Sequence, residues 1–104
     1  MGQQVAEMYG NLGHLTGNKA DTAKALKLLE DEIKAYSQNI IYYQSLAPWQ
    51  YASLPSTDRW IEQYYYMSLL QSYSDFGGDV EKLMLEQQDR GVNFERIAAF
   101  ANRQ

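Results

Sequence analysis

Apolar side chains recur every three or four residues between about residues 19 and 45. They form one seam of six positions: Leu26, Leu29, Ile33, Tyr36, Ile40 and Tyr43. This alternation is an a/d pattern sustained over almost three heptads, which predicts a long helix packed on a partner helix. Asn18 or Asp21 can cap its start, and Pro48 ends it because a proline ring clashes with the preceding turn. We expect four seam positions to lie in the core: Leu29, Ile33, Tyr36 and Ile40.

A second long helix is predicted from about residue 57 to residue 75, after a connector at 47–56 that two prolines bracket. Ser56 or Thr57 is its expected N-cap, and the glycine pair at 77–78 ends it. It carries two apolar stripes, first Trp60, Ile61, Tyr64 and Tyr65, then Tyr66, Leu69, Leu70, Tyr73 and Phe76. Because the two stripes cover more than one face, we expect this helix to be largely buried or to make two contacts at once.

Shorter helices are predicted on either side of this pair. Asp79 is a suitable N-cap for a helix that runs to about residue 90, and Gly91 suits the left-handed position after its end. Asn93 caps a last helix, while residues 3–12 can form one short helix near the N-terminus.

The pattern as a whole shows no alternation typical of strands and no internal repeat. The predicted fold class is all-α: a small helical bundle built on an antiparallel pair of long helices, about 19–45 and 57–75, with two or three short helices. A glycine-rich loop is expected at 10–18. The length of 104 residues fits one domain spanning 1–104, with enough apolar surface for a single core.

Composition narrows the classes of function. The chain has no cysteine, which excludes disulfides, thiolate nucleophiles and cysteine-ligated metals. Its formal net charge of −4 disfavours non-specific binding of nucleic acid, which needs many lysines and arginines. No apolar run has the length of a membrane span, and the first residues lack the basic and apolar regions of a signal peptide. We therefore expect a cytoplasmic protein.

Metal and cofactor motifs are incomplete, so none is predicted. His14, the single histidine, has no partner residues in a metal-binding spacing, and we interpret it as a loop residue. Read as a calcium loop, 75–86 has Gly77 where a carboxylate is needed and Val80 where the turn needs glycine. It nonetheless offers four carboxylates: Asp75, Asp79, Glu81 and Glu86. Since the segment from residue 80 onward has a helical pattern, helix formation would fold this loop away.

Carboxylates elsewhere form no catalytic set that sequence can identify. Glu30, Asp31 and Glu32 are consecutive, so they do not share a helix face and are best interpreted as a solvated surface. A pairing across helices, such as Glu32 with Glu62, stays open at this stage. The di-iron motif that couples a glutamate to a histidine three residues later is absent. We therefore expect no enzymatic activity.

Aromatic residues are in excess, with nine Tyr and two Trp. Three consecutive tyrosines, at 64–66, point about 100° apart on a helix and cannot all face one core. One interpretation is core packing with hydroxyls reaching solvent; another is stacking on single-stranded nucleic acid, which the acidic charge opposes. The third is a protein-binding surface, since Tyr and Trp are enriched among binding hot spots. The candidate partner-binding residues are Trp49, Tyr51, Trp60, Tyr64 and Tyr65.

These traits favour a non-enzymatic protein-binding module that acts as inhibitor, adaptor or accessory subunit of a larger protein or complex. Small proteins of phages and mobile elements that block host machinery share them, by analogy alone. One alternative is a structural homo-oligomer, such as a homodimer through the Leu26–Tyr43 seam. Another is a small enzyme with a site between helices. If the helix at 60–76 covers the seam, the monomer is complete; otherwise a second chain must cover it.

Overall fold

A computed structural model describes the backbone of residues 19–102 and the side chains of residues 20–100. All regular elements in that part are helical, which confirms the all-α prediction there. In chain order they are α1 (Lys19–Ser45), α2 (Pro48–Ala52), α3 (Ser56–Trp60), a π-helical segment (Ile61–Tyr65), α4 (Tyr66–Asp75), α5 (Val80–Arg90) and α6 (Phe94–Asn102). The predicted helix at 3–12, the loop at 10–18, His14 and the Asn18 cap lie outside the described residues.

The heptad pattern of α1 is matched by its burial. Leu29, Ile33 and Ile40 are fully buried and Tyr43 is nearly so, whereas Tyr36 is half-buried at the edge of the core. The opposite face is solvated and includes an exposed Lys27–Asp31 pair at 3.0 Å. The prediction of a long helix over 19–45 is therefore confirmed, with its apolar seam turned inward.

The second long helix is continuous but irregular. α3, the π-helical segment and α4 follow one another without a break, and we call them together the interrupted helix (56–75). The predicted cap at Ser56 or Thr57 is wrong. Pro55 occupies the cap position, and its carbonyl oxygen accepts from the backbone N–H of Asp58 (3.0 Å) and Arg59 (3.2 Å). Because Ser56 already belongs to the first turn, its hydroxyl cannot cap that turn.

The connector between the long helices contains an element that the sequence pattern did not predict. Pro48–Ala52 is a short helix, and Pro48 opens it. A proline fits the first helical position because its fixed φ suits the helix and its missing N–H is not needed there. Gln50 helps to hold this start, since its Oε1 accepts from the backbone N–H of Ala47 at 2.9 Å.

The predicted ends of the short helices are confirmed. The Asp79 carboxylate accepts from the backbone N–H of Lys82 at 3.1 Å, and Asn93 Oδ1 accepts from that of Arg96 at 3.2 Å. Gly91 follows α5 with a φ of +121°, a left-handed conformation that glycine adopts without strain. The segment after residue 80 is helical, so the carboxylates at 75–86 do not form a calcium loop.

The core lies where α4 packs on α1. Tyr66, Leu69 and Leu70 are buried against the α1 seam. Three more buried residues extend the cluster towards α5 and α6: Leu83, Val92 and Ile97. A homodimer through the Leu26–Tyr43 seam would therefore have to displace α4 from its place within the chain.

A buried polar bridge joins the two long helices. The Ser37 hydroxyl donates to the carbonyl of Ile33 at 2.7 Å and lies 2.7 Å from the Tyr66 hydroxyl. Because the serine hydroxyl has one proton, Tyr66 must be the donor in the second contact. Burial raises the pKa of Tyr66 to about 12 from its ordinary value of 10.

Burial of the Tyr66 hydroxyl predicts a loss of stability in alkali. A folded-state pKa above the unfolded value favours folding at pH below 10, and the gain is lost as pH rises through about 12. We expect the melting temperature to fall over this range, and to fall less steeply in Tyr66→Phe. The exposed Tyr42→Phe is the control and should follow wild type. Equal alkaline slopes for Tyr66→Phe and wild type would contradict the assignment.

Candidate functional site: an uncharged aromatic face beside a buried ion pair

The structure separates the five candidate partner-binding residues into two groups. Trp60, Tyr64 and Tyr65 lie together on the interrupted helix, where Trp60 is 46% and Tyr64 52% exposed. Tyr51 lies on α2 and is half-buried beside α6. Trp49, also on α2, is 71% exposed, and the described ring contacts connect it to neither group.

Four rings form what we call the aromatic ladder: Tyr36, Trp60, Tyr64 and Tyr65. The Trp60 ring stacks on Tyr65 at 5.0 Å between centroids and on Tyr64 at 5.9 Å, with interplanar angles of 25° and 28°. Tyr65 meets Tyr36 of α1 edge to face at 5.4 Å. Such pairs contribute about 0.5–1.5 kcal/mol each beyond area burial, so the exposed rings are held in place before any partner arrives.

The π-helical segment explains why Trp60 meets two consecutive tyrosines. In a π-helix the backbone hydrogen bonds join residues five apart, and the turn is wider than in an α-helix. The residues four and five positions after Trp60 therefore both lie beside it. The three consecutive tyrosines end in three environments: Tyr64 is exposed, Tyr65 is half-buried and Tyr66 is fully buried.

The exposed side of the interrupted helix carries no charge over fifteen positions. Between Trp60 and Ser74 the single charged residue is Glu62, and it is fully buried. We call one side of this stretch the outer face; it has four exposed residues, Trp60, Tyr64, Gln71 and Ser74, and two half-buried ones, Met67 and Ser68. The exposed side of α5, by contrast, has five charged residues: Glu81, Lys82, Glu86, Asp89 and Arg90. Aromatic enrichment with charge depletion is the composition of an interface core.

Glu62 points inward and pairs with Arg96 of α6. Arg96 Nη2 donates to Glu62 Oε1 at 3.0 Å, while Nε lies 2.9 Å from Oε2 without the alignment of a hydrogen bond. The pairing of Glu62 with Glu32, left open by the sequence, is therefore replaced by a pairing with arginine. No motif or spacing in the sequence points to Arg96. The available signal was Glu62 itself, a lone charge in a long uncharged stretch.

Arg96 also forms one wall of a groove between α2 and α6. Its Cζ lies 4.8 Å from the centroid of the Tyr51 ring and 5.8 Å from that of Phe100. These two rings are nearly parallel, at 15° and 6.4 Å. The groove measures about 580 Å³ and is lined by Leu46, Pro48, Tyr51, Arg96, Ala99 and Phe100.

The groove has the side chains for contact rather than for catalysis. Its lining includes neither carboxylate nor histidine, so it offers no ordinary general base. The Tyr51 hydroxyl accepts from Gln63 Nε2 at 3.2 Å, and burial raises the pKa of Tyr51. Tyr51 therefore stays protonated at neutral pH.

A second pocket, of about 320 Å³, contains acidic groups between α1, α4 and α5. It is lined by Glu30, Tyr73, Asp79, Lys82, Leu83 and Glu86. Glu30 is paired with Lys34 at 2.9 Å and Asp79 caps α5, so two of its carboxylates are already engaged. Within residues 20–100, no three His, Asp or Glu side chains are arranged to hold a metal ion.

None of the described helices is both long enough and apolar enough to cross a membrane. No protein-family model, curated protein or solved structure matches the chain.

Proposed function

We propose that this chain is a non-enzymatic, cytoplasmic protein-binding module, which acts as inhibitor, adaptor or accessory subunit by docking on a larger protein. The outer face of the interrupted helix is the docking surface, and Trp60 and Tyr64 are its anchors. The observation that carries the proposal is the uncharged outer face with its two exposed aromatic rings, in contrast to α1 and α5, which expose charged side chains.

The ladder geometry supports affinity at low entropic cost. Binding loses about 0.5–1.5 kcal/mol for each flexible side chain that becomes immobile. Trp60 is already stacked on two tyrosines, so little of its freedom remains to be lost. Large aromatic rings near the centre of an interface are also the residues whose truncation costs most.

Affinity capture from the source cells tests this proposal. The wild-type chain should retain one partner, and Trp60→Ala and Tyr64→Ala should each weaken that binding by about 2 kcal/mol or more, roughly thirtyfold. Tyr42→Ala and Leu85→Ala are matched controls, because both residues are large and exposed on other helices. Variants are compared only when their melting curves agree with wild type.

The proposal fails if both ladder variants bind the partner as wild type does. In that case the groove between α2 and α6, which Tyr51 lines, becomes the next surface to vary. A photo-crosslinking residue at position 64 gives an independent measurement, since it should label the retained partner and the same residue at position 85 should not.

A further inference from the structure

We propose that, in the absence of a partner, a second copy of this chain covers the outer face. The two interrupted helices then pack antiparallel about a two-fold axis beside Ser68. This inference goes beyond the proposed function and does not depend on it. A two-fold contact places one patch against itself, so the patch must be complementary to its own rotated copy.

Charge supplies the first evidence of such self-complementarity. Arg59 lies just before the outer face and is half-buried. Its Nε is buried, and no described residue accepts a hydrogen bond from it. Just after the outer face lies Asp75, which is exposed; its Oδ1 accepts from Gln71 Nε2 of the same helix at 2.9 Å, and its other oxygen remains available. The nearer carboxylate, Asp58, is engaged by the Tyr43 hydroxyl at 3.2 Å. An antiparallel pair would therefore place Arg59 of each copy near the Asp75 carboxylate of the other.

Side-chain size supplies the second line of evidence for self-complementarity. Large rings occupy one half of the outer face, at Trp60 and Tyr64, and smaller polar side chains occupy the other, at Gln71 and Ser74. Antiparallel pairing sets large against small, so that Tyr64 lies opposite Gln71. Ser68, near the midpoint, lets the two backbones approach, as small residues do where helices cross.

The net charge explains why this face is favoured over others. At a formal charge of −4, two copies repel one another in solution, and contact through a charged helix face brings like charges together. The outer face has no charge to oppose contact, and Arg59 beside its first residue is opposite in sign to Asp75 after its last. A parallel arrangement would lose that advantage by placing arginine beside arginine.

Single-cysteine cross-linking tests the geometry, because the chain has no cysteine of its own. Residues next to a two-fold axis can reach the distance of roughly 4.4–6.8 Å between Cα atoms that a disulfide requires. Under mild oxidation, Ser68→Cys should form a covalent dimer. Leu85→Cys, exposed on α5, is the control and should stay monomeric under the same conditions. Equal cross-linking of the two variants would overturn the proposal.

A charge exchange tests the orientation. Measured by analytical ultracentrifugation, Arg59→Glu or Asp75→Arg alone should raise the dissociation constant of the dimer about tenfold or more, and the double variant should restore it. A wild-type chain that sediments as a monomer at high micromolar concentration would contradict the dimer. So would a double variant weaker than both single variants.

The experiments distinguish a failure of the homodimer proposal from a failure of the proposed partner binding. Ultracentrifugation of the purified chain reports self-association without any partner, whereas affinity capture reports the partner at concentrations too low for dimers. If both hold, dimer and partner compete for Trp60 and Tyr64, and partner binding should dissociate the Ser68-centred dimer.

Discussion

Replacing Arg96 with methionine is expected to destabilise the fold by about 3–5 kcal/mol, because it leaves the Glu62 carboxylate buried without its partner. Methionine keeps an apolar stem against Tyr51 and Phe100, so the loss reports the missing charge rather than missing packing. A domain of this size is stable by roughly 5–15 kcal/mol, so the effect removes a large share of the total.

Urea denaturation measures this effect, and two further variants make it specific. Lys27→Met removes one partner of an exposed ion pair and should cost less than about 1 kcal/mol. The double variant Glu62→Met with Arg96→Met removes both charges and should recover most of the stability, since an apolar pair often replaces a buried ion pair without loss. An Arg96→Met cost no larger than that of Lys27→Met would contradict the buried-pair interpretation.

Truncation of the α1 seam should have an effect of similar size. Leu29→Ala and Ile33→Ala each remove methyl groups from fully buried positions against α4, and each should cost about 2–5 kcal/mol. The control is Leu85→Ala, at a position 61% exposed, where a change within about 0.5 kcal/mol is expected. Losses below about 1 kcal/mol at both seam positions would show that α4 does not cover the seam in solution.

The elements that sequence predicted well are those set by local chemistry. Asp79, Gly91 and Asn93 act within one turn of their own position, and each was predicted for its observed role. The α1 seam was predictable because a heptad pattern records burial directly. The Ser56 cap failed although the residue type was right, because Pro55 shifted the helix start by one position.

The candidate site was predictable only in part, because its contacts join distant segments. The excess of aromatics identified Trp60 and Tyr64, but nothing local indicated that Arg96 would pair with Glu62, 34 positions away. The position of the π-helical segment is visible in the apolar pattern of the sequence. The two apolar stripes of the predicted helix meet between Tyr65 and Tyr66, where the segment ends. A break in the phase of an apolar stripe is the sequence signal of such a segment.

The break in the apolar stripe between Tyr65 and Tyr66 affects which substitutions the helix can accept. In an unbroken α-helix the directions of the side chains are fixed relative to one another. Rotating one end to suit a partner would therefore rotate the apolar side chains of the other end out of the core. The wider turn at Ile61–Tyr65 packs on α6 and sets a fixed angular offset between the residues before it and α4, which packs on α1. Substitutions at Trp60 and Tyr64 would therefore change the proposed docking surface while Tyr66 keeps its packing beside Ser37. The residues on the two sides of this turn can thus be substituted independently during evolution.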